Sequence, residues 1–260
     1  METTQSMNGK SASAGRDIVI VHTSDVHVDH DYTARMFDGD GTGSLKIVLD
    51  AARKVNADVV LLCGDTFDSH RLPAALIEET GRTLASAGMH VVILPGNHDP
   101  VVDGAVFHHA AFNGLANVAI LGVTHEDAVG FPDLDLEVWG RAHRHYGDMD
   151  PLEFIRPRST RWQVAMAHGH YDPKPDRSTR LRPSWLLGDS EIGATGADYL
   201  ALGHWNRPVQ VVPGGAVAAY YSGSPDYAGT VNVVRLAATG SVEVTREPLE
   251  LPARLLAESH

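Results

Sequence analysis

Three short apolar runs in the first hundred residues each break on a cluster of polar side chains, and two stretches of helical period separate them. Asp17 to His22 (DIVIVH) runs into Thr23-Ser24-Asp25-Val26-His27. Asp58 to Cys63 runs into Gly64-Asp65-Thr66-Phe67-Asp68, and His90 to Leu94 into Pro95-Gly96-Asn97-His98-Asp99. Between the first two, apolar residues at 45, 48, 49, 52 and 55 repeat with helical period behind Ser44 as N-cap. Between the second and third, a helix over Pro73 to Ala87 has proline in its first turn and Gly88 past its end. Strand alternating with helix predicts parallel pairing through crossover connections. Parallel pairing puts the carboxyl ends of the strands on one edge, where α/β sheets bind ligands. Asp25, His27, Asp65, Asn97 and His98 are therefore expected to converge.

The second half has a different rhythm. Strands are expected at 117–121, 134–139, 162–167, 198–202, 208–212, 217–221, 231–236 and 241–247, with a helix near 184–193 and a more antiparallel character. Two of these strands end in Ala167-His168-Gly169-His170 and Gly203-His204-Trp205-Asn206, adding imidazoles to the same edge. The economical reading is an α/β fold with two β-sheets in a single domain over 17–260. It follows a disordered tail, 1–16 (METTQSMNGKSASAGR), which has no apolar core of a secretory signal.

Carboxylate, imidazole and amide oxygen together suit Mn, Fe, Zn or Ni. The cluster offers more ligands than one ion takes, and a shared carboxylate bridges two ions about 3.5–4 Å apart in sites that clamp phosphoryl oxygens. Blander roles exist for each residue. Asp25 or Asp68 would cap a turn, Asn97 would sit in one, and His22, His90, His108 and His109 read as structural. Cys63 reads as a small buried hydrophobe.

The net charge of −12 argues against nonspecific nucleic-acid binding by the whole surface. It leaves one local basic window, Arg156, Arg158, Arg161, Lys174, Arg177, Arg180 and Arg182 against Asp172 and Asp176, which reads either as a solvated loop or as a phosphate-facing edge. No apolar run reaches the length of a membrane span. The single cysteine excludes an internal disulfide and points to a reducing, cytoplasmic setting.

The ordered series Asp25-x-His27, Gly64-Asp65-x-x-Asp68, Gly96-Asn97-His98-Asp99, His168 and Gly203-His204-x-Asn206 resembles the signature of calcineurin-like metallophosphoesterases. His22-Thr23-Ser24-Asp25-x-His27, Tyr199 to His204 and Tyr221-Ser222-Gly223-Ser224-Pro225 further resemble the motifs of SbcD-type DNA repair nucleases. The resemblance implies a four-layer αββα sandwich, with its two sheets flanked by helices, and a dinuclear phosphodiesterase. It assigns Asp25, His27, Asp65 and residue 206 to a first metal, and Asp65, Asn97, His168 and His204 to a second. His98 is the general acid, Asp68 and Asp99 orient the ligands, and His170 is an alternative reach into the site. The pattern expects histidine where Asn206 stands. An amide oxygen is a weaker donor, suited to Mn or Mg. Manganese is therefore the first choice for both ions.

The substrate implied is a phosphate ester, DNA among the options. Small-molecule phosphodiesters such as cyclic nucleotides are the alternative, and a binding scaffold without chemistry is the third. The capping domain and the ATPase-binding segment of those nucleases are not expected by His260, which puts an ATPase partner in doubt. A homodimer stays open.

Overall fold

The strands of the first half follow a strict period of two, as sheets covered on both faces require. Ile18 and Ile20, Val59, Leu61 and Cys63, and Val92 and Leu94 face one core. Val19 and Val21, Val60 and Leu62, and Val91 and Ile93 face another. The computed structural model describes residues 15–179 and 183–253. In chain order the elements are β1 (Ile18–Thr23), α1 (Tyr32–Met36), α2 (Gly43–Lys54), β2 (Val59–Cys63), α3 (Ala74–Ala85), β3 (His90–Leu94), β4 (Val118–Ile120), β5 (Ala128–Phe131), β6 (Leu136–Gly140), β7 (Trp162–His168), β8 (His170–Tyr171), β9 (Leu186–Leu187), α4 (Asp189–Ala194), β10 (Tyr199–Gly203), β11 (Val209–Val211), β12 (Ala218–Tyr221), α5 (Pro225–Ala228), β13 (Thr230–Leu236) and β14 (Val242–Pro248).

One six-stranded sheet has the order β14-β13-β1-β2-β3-β4, and a second has β11-β12-β10-β7-β6-β5. The core between them joins the inner residues of β1–β3 to Val138, Val164, Met166, Tyr199 and Ala201 of the second sheet. Outside the first sheet, Leu45, Val48 and Leu49 of α2 and Ile77 and Leu84 of α3 cover the strands. Outside the second, the cover is thinner, with Leu187, Ile192 and Ala197 packing on Ala165, Leu200 and Leu202. The expected α/β sandwich of two sheets flanked by helices is the observed architecture.

Three sequence expectations change. The second sheet is parallel at its centre, β6 with β7, β7 with β10 and β10 with β12, and antiparallel only where β5 and β11 join. The β6–β7 connection is irregular rather than helical, so the alternation that signals parallel strands is missing from the sequence. Ser44 does not cap α2. The cap is Thr42, whose hydroxyl donates to Asp40 Oδ1 at 2.6 Å, and Ser44 is buried in the first turn. The helix expected at 184–193 starts only at Asp189, because Leu186 and Leu187 pair in parallel with β8. Residues 1–14 of the expected tail lie outside the described residues, and Arg16 forks onto both carboxyl oxygens of Asp58 at 3.0 and 2.7 Å.

Candidate metal centre

Five parallel strand ends, those of β1, β2, β3, β7 and β10, meet across the gap between the sheets. The contact is close enough to dictate glycine. A Cβ on Gly64 would lie 1.9 Å from His168 Nδ1, and one on Gly203 would lie 1.8 Å from the Cys63 carbonyl oxygen. Among the described residues nine non-glycine positions have positive φ, and four of them are Asp25 (54°), His27 (47°), Asp65 (52°) and His204 (102°). Such conformations are costly and collect where a function needs the side chain aimed.

Ligand atoms of Asp25, His27 and Asp65 lie within 4.8 Å of one another. Asp25 and Asp65 are 3 % and 2 % exposed, so neither carboxylate is answered by bulk water. Asp25 Oδ2 accepts the His204 backbone N–H at 3.0 Å, linking the ends of β1 and β10. Asp65 Oδ1 accepts the His98 N–H at 2.9 Å, linking the ends of β2 and β3. Burial raises the Asp25 carboxyl. Burial also works to raise Asp65, but the charge and hydrogen bond of His168, helped by His98 and His27, outweigh it and hold Asp65 well below the usual carboxylate range.

His168 carries the clearest evidence for a cation. Its Nδ1 faces the Cys63 carbonyl at 2.9 Å, and a carbonyl only accepts, so Nδ1 holds a proton. Its Nε2 then faces two acceptors, Asn97 Oδ1 at 3.0 Å and Asp65 Oδ2 at 3.2 Å. Three electron-rich atoms converge there and need a positive species between them. Without a metal that species is a proton. Burial opposes it, but Asp65 and Asp25 prevail and push the imidazole up to about 10. An N–H committed to a carbonyl while the other nitrogen points into a donor cluster is the arrangement of metal-ligating histidines. His204 packs edge-on to His168 at 5.4 Å between ring centroids and, lowered to about 4 by burial and by the His168 charge, keeps a free lone pair. This donor set fits divalent cations.

The outer residues are arranged differently. His98 is exposed, and its Nδ1 donates to the Asp68 carbonyl at 3.0 Å, which leaves Nε2 for a ligand. Asp68 Oδ1 stands 3.4 Å from His27 Nδ1 and 3.7 Å from His98 Nδ1. Burial opposes a proton on His27, but Asp68, Asp65 and Asp25 push it up to about 9. His27, Asp68 and His98 form a second group whose ligand atoms lie within 4.8 Å. Asp99, fully buried, accepts from Gly96 N at 2.7 Å and from Phe67 N at 3.0 Å, tying the loops after β2 and β3 together. His170 is engaged by the Trp205 indole N–H at 3.2 Å. Asn206 is exposed, and its backbone carbonyl accepts from Ser224 N at 3.2 Å.

His143 was not foreseen. Its Nε2 lies 2.9 Å from the His168 carbonyl, and its ring packs at 5.6 Å against His168 and at 5.3 Å against Trp185. The signal was present, because Gly140-Arg141-Ala142-His143 is another strand end on the same edge. His22 is structural, with Nδ1 2.8 Å from the Tyr199 hydroxyl. Cys63 donates its thiol to the Ala201 and Ala167 carbonyls at 3.0 and 3.4 Å, and burial pushes the thiol up. Three of the five described basic residues of the window are in ion pairs. Arg156 meets Glu137 at 2.9 Å, Arg158 meets Asp198 at 2.8 Å, and Arg177 meets Glu191 at 2.7 Å. Arg180 and Arg182 lie outside the described residues.

A two-sheet sandwich with a carboxylate–imidazole cluster across its parallel strand ends has the ligand set and the position of a metal site in an α/β fold. Residues 18–208 match the calcineurin-like phosphoesterase family, and the chain belongs to it. Among curated proteins it is similar to the SbcD subunit of the nuclease SbcCD from Escherichia coli strain K12, 24 % identical over 252 residues, covering 79 % of this chain and 60 % of that one. It is also similar to the DNA double-strand break repair protein Mre11 of Aeropyrum pernix, 28 % identical over 209 residues, covering 73 % of this chain and 49 % of that one. The chain thus spans about half to 60 % of the length of these relatives. The fold is shared with TT1561 of Thermus thermophilus, at 14 % identity and a TM-score of 0.52, covering 88 % of this chain and 98 % of that one. It is shared too with the yellow lupin purple acid phosphatase PPD1, at 10 % identity and a TM-score of 0.53, covering 90 % and 52 %. Among the described residues no helix is long and apolar enough to cross a membrane.

Proposed function

We propose that the chain is a phosphodiesterase working with two divalent cations, manganese first, on nucleotidyl phosphodiesters. The observation that carries this is the His168 Nε2–Asp65–Asn97 convergence beside the Asp25–His27–Asp65 group. Asp65 is common to both, as a bridging ligand has to be. Asp25, His27 and Asp65, with Asn206, would hold one ion, and Asp65, Asn97, His168 and His204 the other. Such a pair neutralises phosphoryl oxygens and makes a water acidic enough to attack. His98 then does the acid–base work. With Nδ1 tied to the Asp68 carbonyl, its protonated form points Nε2–H outward to the leaving oxygen. Asp68 holds His98 and His27 in place, and Asp99 holds the two loops.

Nucleic acid is the first substrate because the two curated relatives are, by name, a nuclease component and a DNA repair protein. Small nucleotides are the second reading, favoured by the ion-paired arginines of the 156–177 stretch and by the net charge of −12. The test is elemental analysis of protein loaded with manganese, coupled to hydrolysis of bis(4-nitrophenyl) phosphate, single-stranded DNA and a cyclic nucleotide. Two equivalents of metal and diester turnover are expected. Tight metal binding with no turnover on any diester would overturn the reading and return the scaffold alternative.

A further inference from the structure

Beside His98 the site opens into a cavity of about 510 Å³, within the size range of small-molecule sites. Its wall combines the loop after β2, through His70 and Arg71, with Tyr146 from the loop after β6, and it shares Asp68, Asn97 and His98 with the metal centre. Two features of this wall stand out. Tyr146 is 64 % exposed although aromatic, and His70 packs edge-on against it, ring centroids 6.2 Å apart at 70°. His70 is itself fixed, its Nδ1 accepting the Val106 N–H at 3.2 Å. Arg71 is exposed, and among the described residues no carboxylate lies within ion-pair distance of it, while Arg156, Arg158 and Arg177 are all paired.

We infer that this cavity is a nucleoside subsite on the leaving-group side of the reaction, with the base stacked on Tyr146 and the sugar–phosphate steered by Arg71. The inference rests on the phosphodiesterase reading, which puts His98 beside the leaving oxygen. The group that departs past His98 therefore enters the cavity bounded by His98. An exposed, braced aromatic ring offers a flat face to any base, and a free guanidinium beside it offers charge to a phosphate. Its volume suits one nucleoside unit, which fits a strand end or a free nucleotide.

The test titrates the protein, with manganese supplied, with AMP and with ribose 5-phosphate, which differ only by the base. Stacking predicts that AMP binds about 5- to 100-fold more tightly. Tyr146→Ala should erase that ratio and Tyr146→Phe should keep it. Arg71→Ala should weaken both ligands by a similar factor. Thermal melting confirms that the exposed substitutions leave the fold intact. Oligothymidylate of eight residues in the same titration separates the sources. If it displaces AMP the cavity takes strand ends, and if it does not while AMP still outbinds ribose 5-phosphate the cavity takes free nucleotides; both support the subsite. Equal affinity for AMP and ribose 5-phosphate in the wild type, or a ratio untouched by Tyr146→Ala, overturns it. Failure of the phosphodiesterase reading looks different: no hydrolysis of bis(4-nitrophenyl) phosphate, whatever the AMP ratio.

Discussion

Asp25, Asp65, Asp99 and His168 are at most 3 % exposed, whereas the side chains of His98 and Asp68 are 45 % and 49 % exposed. The inner group is placed by backbone. Its members accept main-chain N–H groups or donate to main-chain carbonyls, and glycines leave no space for them to move. The outer group has one main-chain anchor, His98 Nδ1 on the Asp68 carbonyl, and otherwise rests on side chains 3.4 to 3.7 Å apart that are open to solvent on one side. The inner half is therefore suited to holding cations in a fixed geometry. The outer half can change with the substrate at little cost to the fold.

Substitutions should separate the two halves. The largest effect is expected for Asp65→Asn. Loss of the carboxylate shared by both donor groups should remove both ions and cost more turnover than the roughly 10²–10⁴-fold typical of a missing acid–base group. Metal content after dialysis checks it, and two retained equivalents would rule out a bridging role. His98→Ala comes next, with turnover lowered about 10²–10⁴-fold and both ions kept. Loss of metal in that variant would make His98 a ligand. Asp99→Asn should weaken metal binding about 10- to 100-fold, the usual cost of disturbing a ligand's support. An amide can accept from only one of Gly96 N and Phe67 N, so the loops after β2 and β3 lose their tie.

A pH series tests one imidazole from each half. His168 and His27, pushed up to about 10 and about 9, hold protons at neutral pH when metal is absent. Each ion must displace a proton, so affinity should rise about tenfold per pH unit from 6, flattening above about 9 at the site that takes His27 and above about 10 at the site that takes His168. Manganese titrations at constant ionic strength would detect the slope. A flat profile would mean that the imidazoles are not ligands. The smallest effect is expected for Asn206→His, which should tighten one site about tenfold or less, more for zinc than for manganese, since zinc favours imidazole nitrogen. Paired titrations measure it, and unchanged affinity for both metals would remove residue 206 from the ligand set.

The inner half was largely legible in the sequence, because an apolar run that stops on Gly-Asp or Gly-Asn-His fixes both the strand and its polar end. The second sheet was less so. Its parallel strands β6 and β7 are joined by an irregular loop, β7 and β10 by a connection whose described residues hold only one short helix, α4, and nothing in a strand's own composition records the direction of its neighbour. His143 follows a strand end on the same edge, so its arrival near the site was legible, but three residues past β6 its contact with His168 is set by tertiary packing. The arginines of 156–177 looked free because Glu137, Asp198 and Glu191 come from other elements. The outer cavity was invisible, since Arg71 and Tyr146 are 75 residues apart in sequence and meet only through the two loops.

The pairing of β1 with β13 brings Ile18 opposite Leu236. The residues matched to the family stop at 208, before β13 begins. A fragment ending there would contain every proposed ligand and still leave β1 as a bare edge, a row of unpaired amides beside a β-branched apolar surface. Such edges recruit other chains, so the fragment should aggregate rather than bind metal. On a ribosome, too, the sheet that carries Asp25 stays open on that side until β13 has emerged, and pairing at such sequence distance is slow. β13 and β14 supply no proposed ligand, yet the centre depends on them for its solubility and for the time it takes to form.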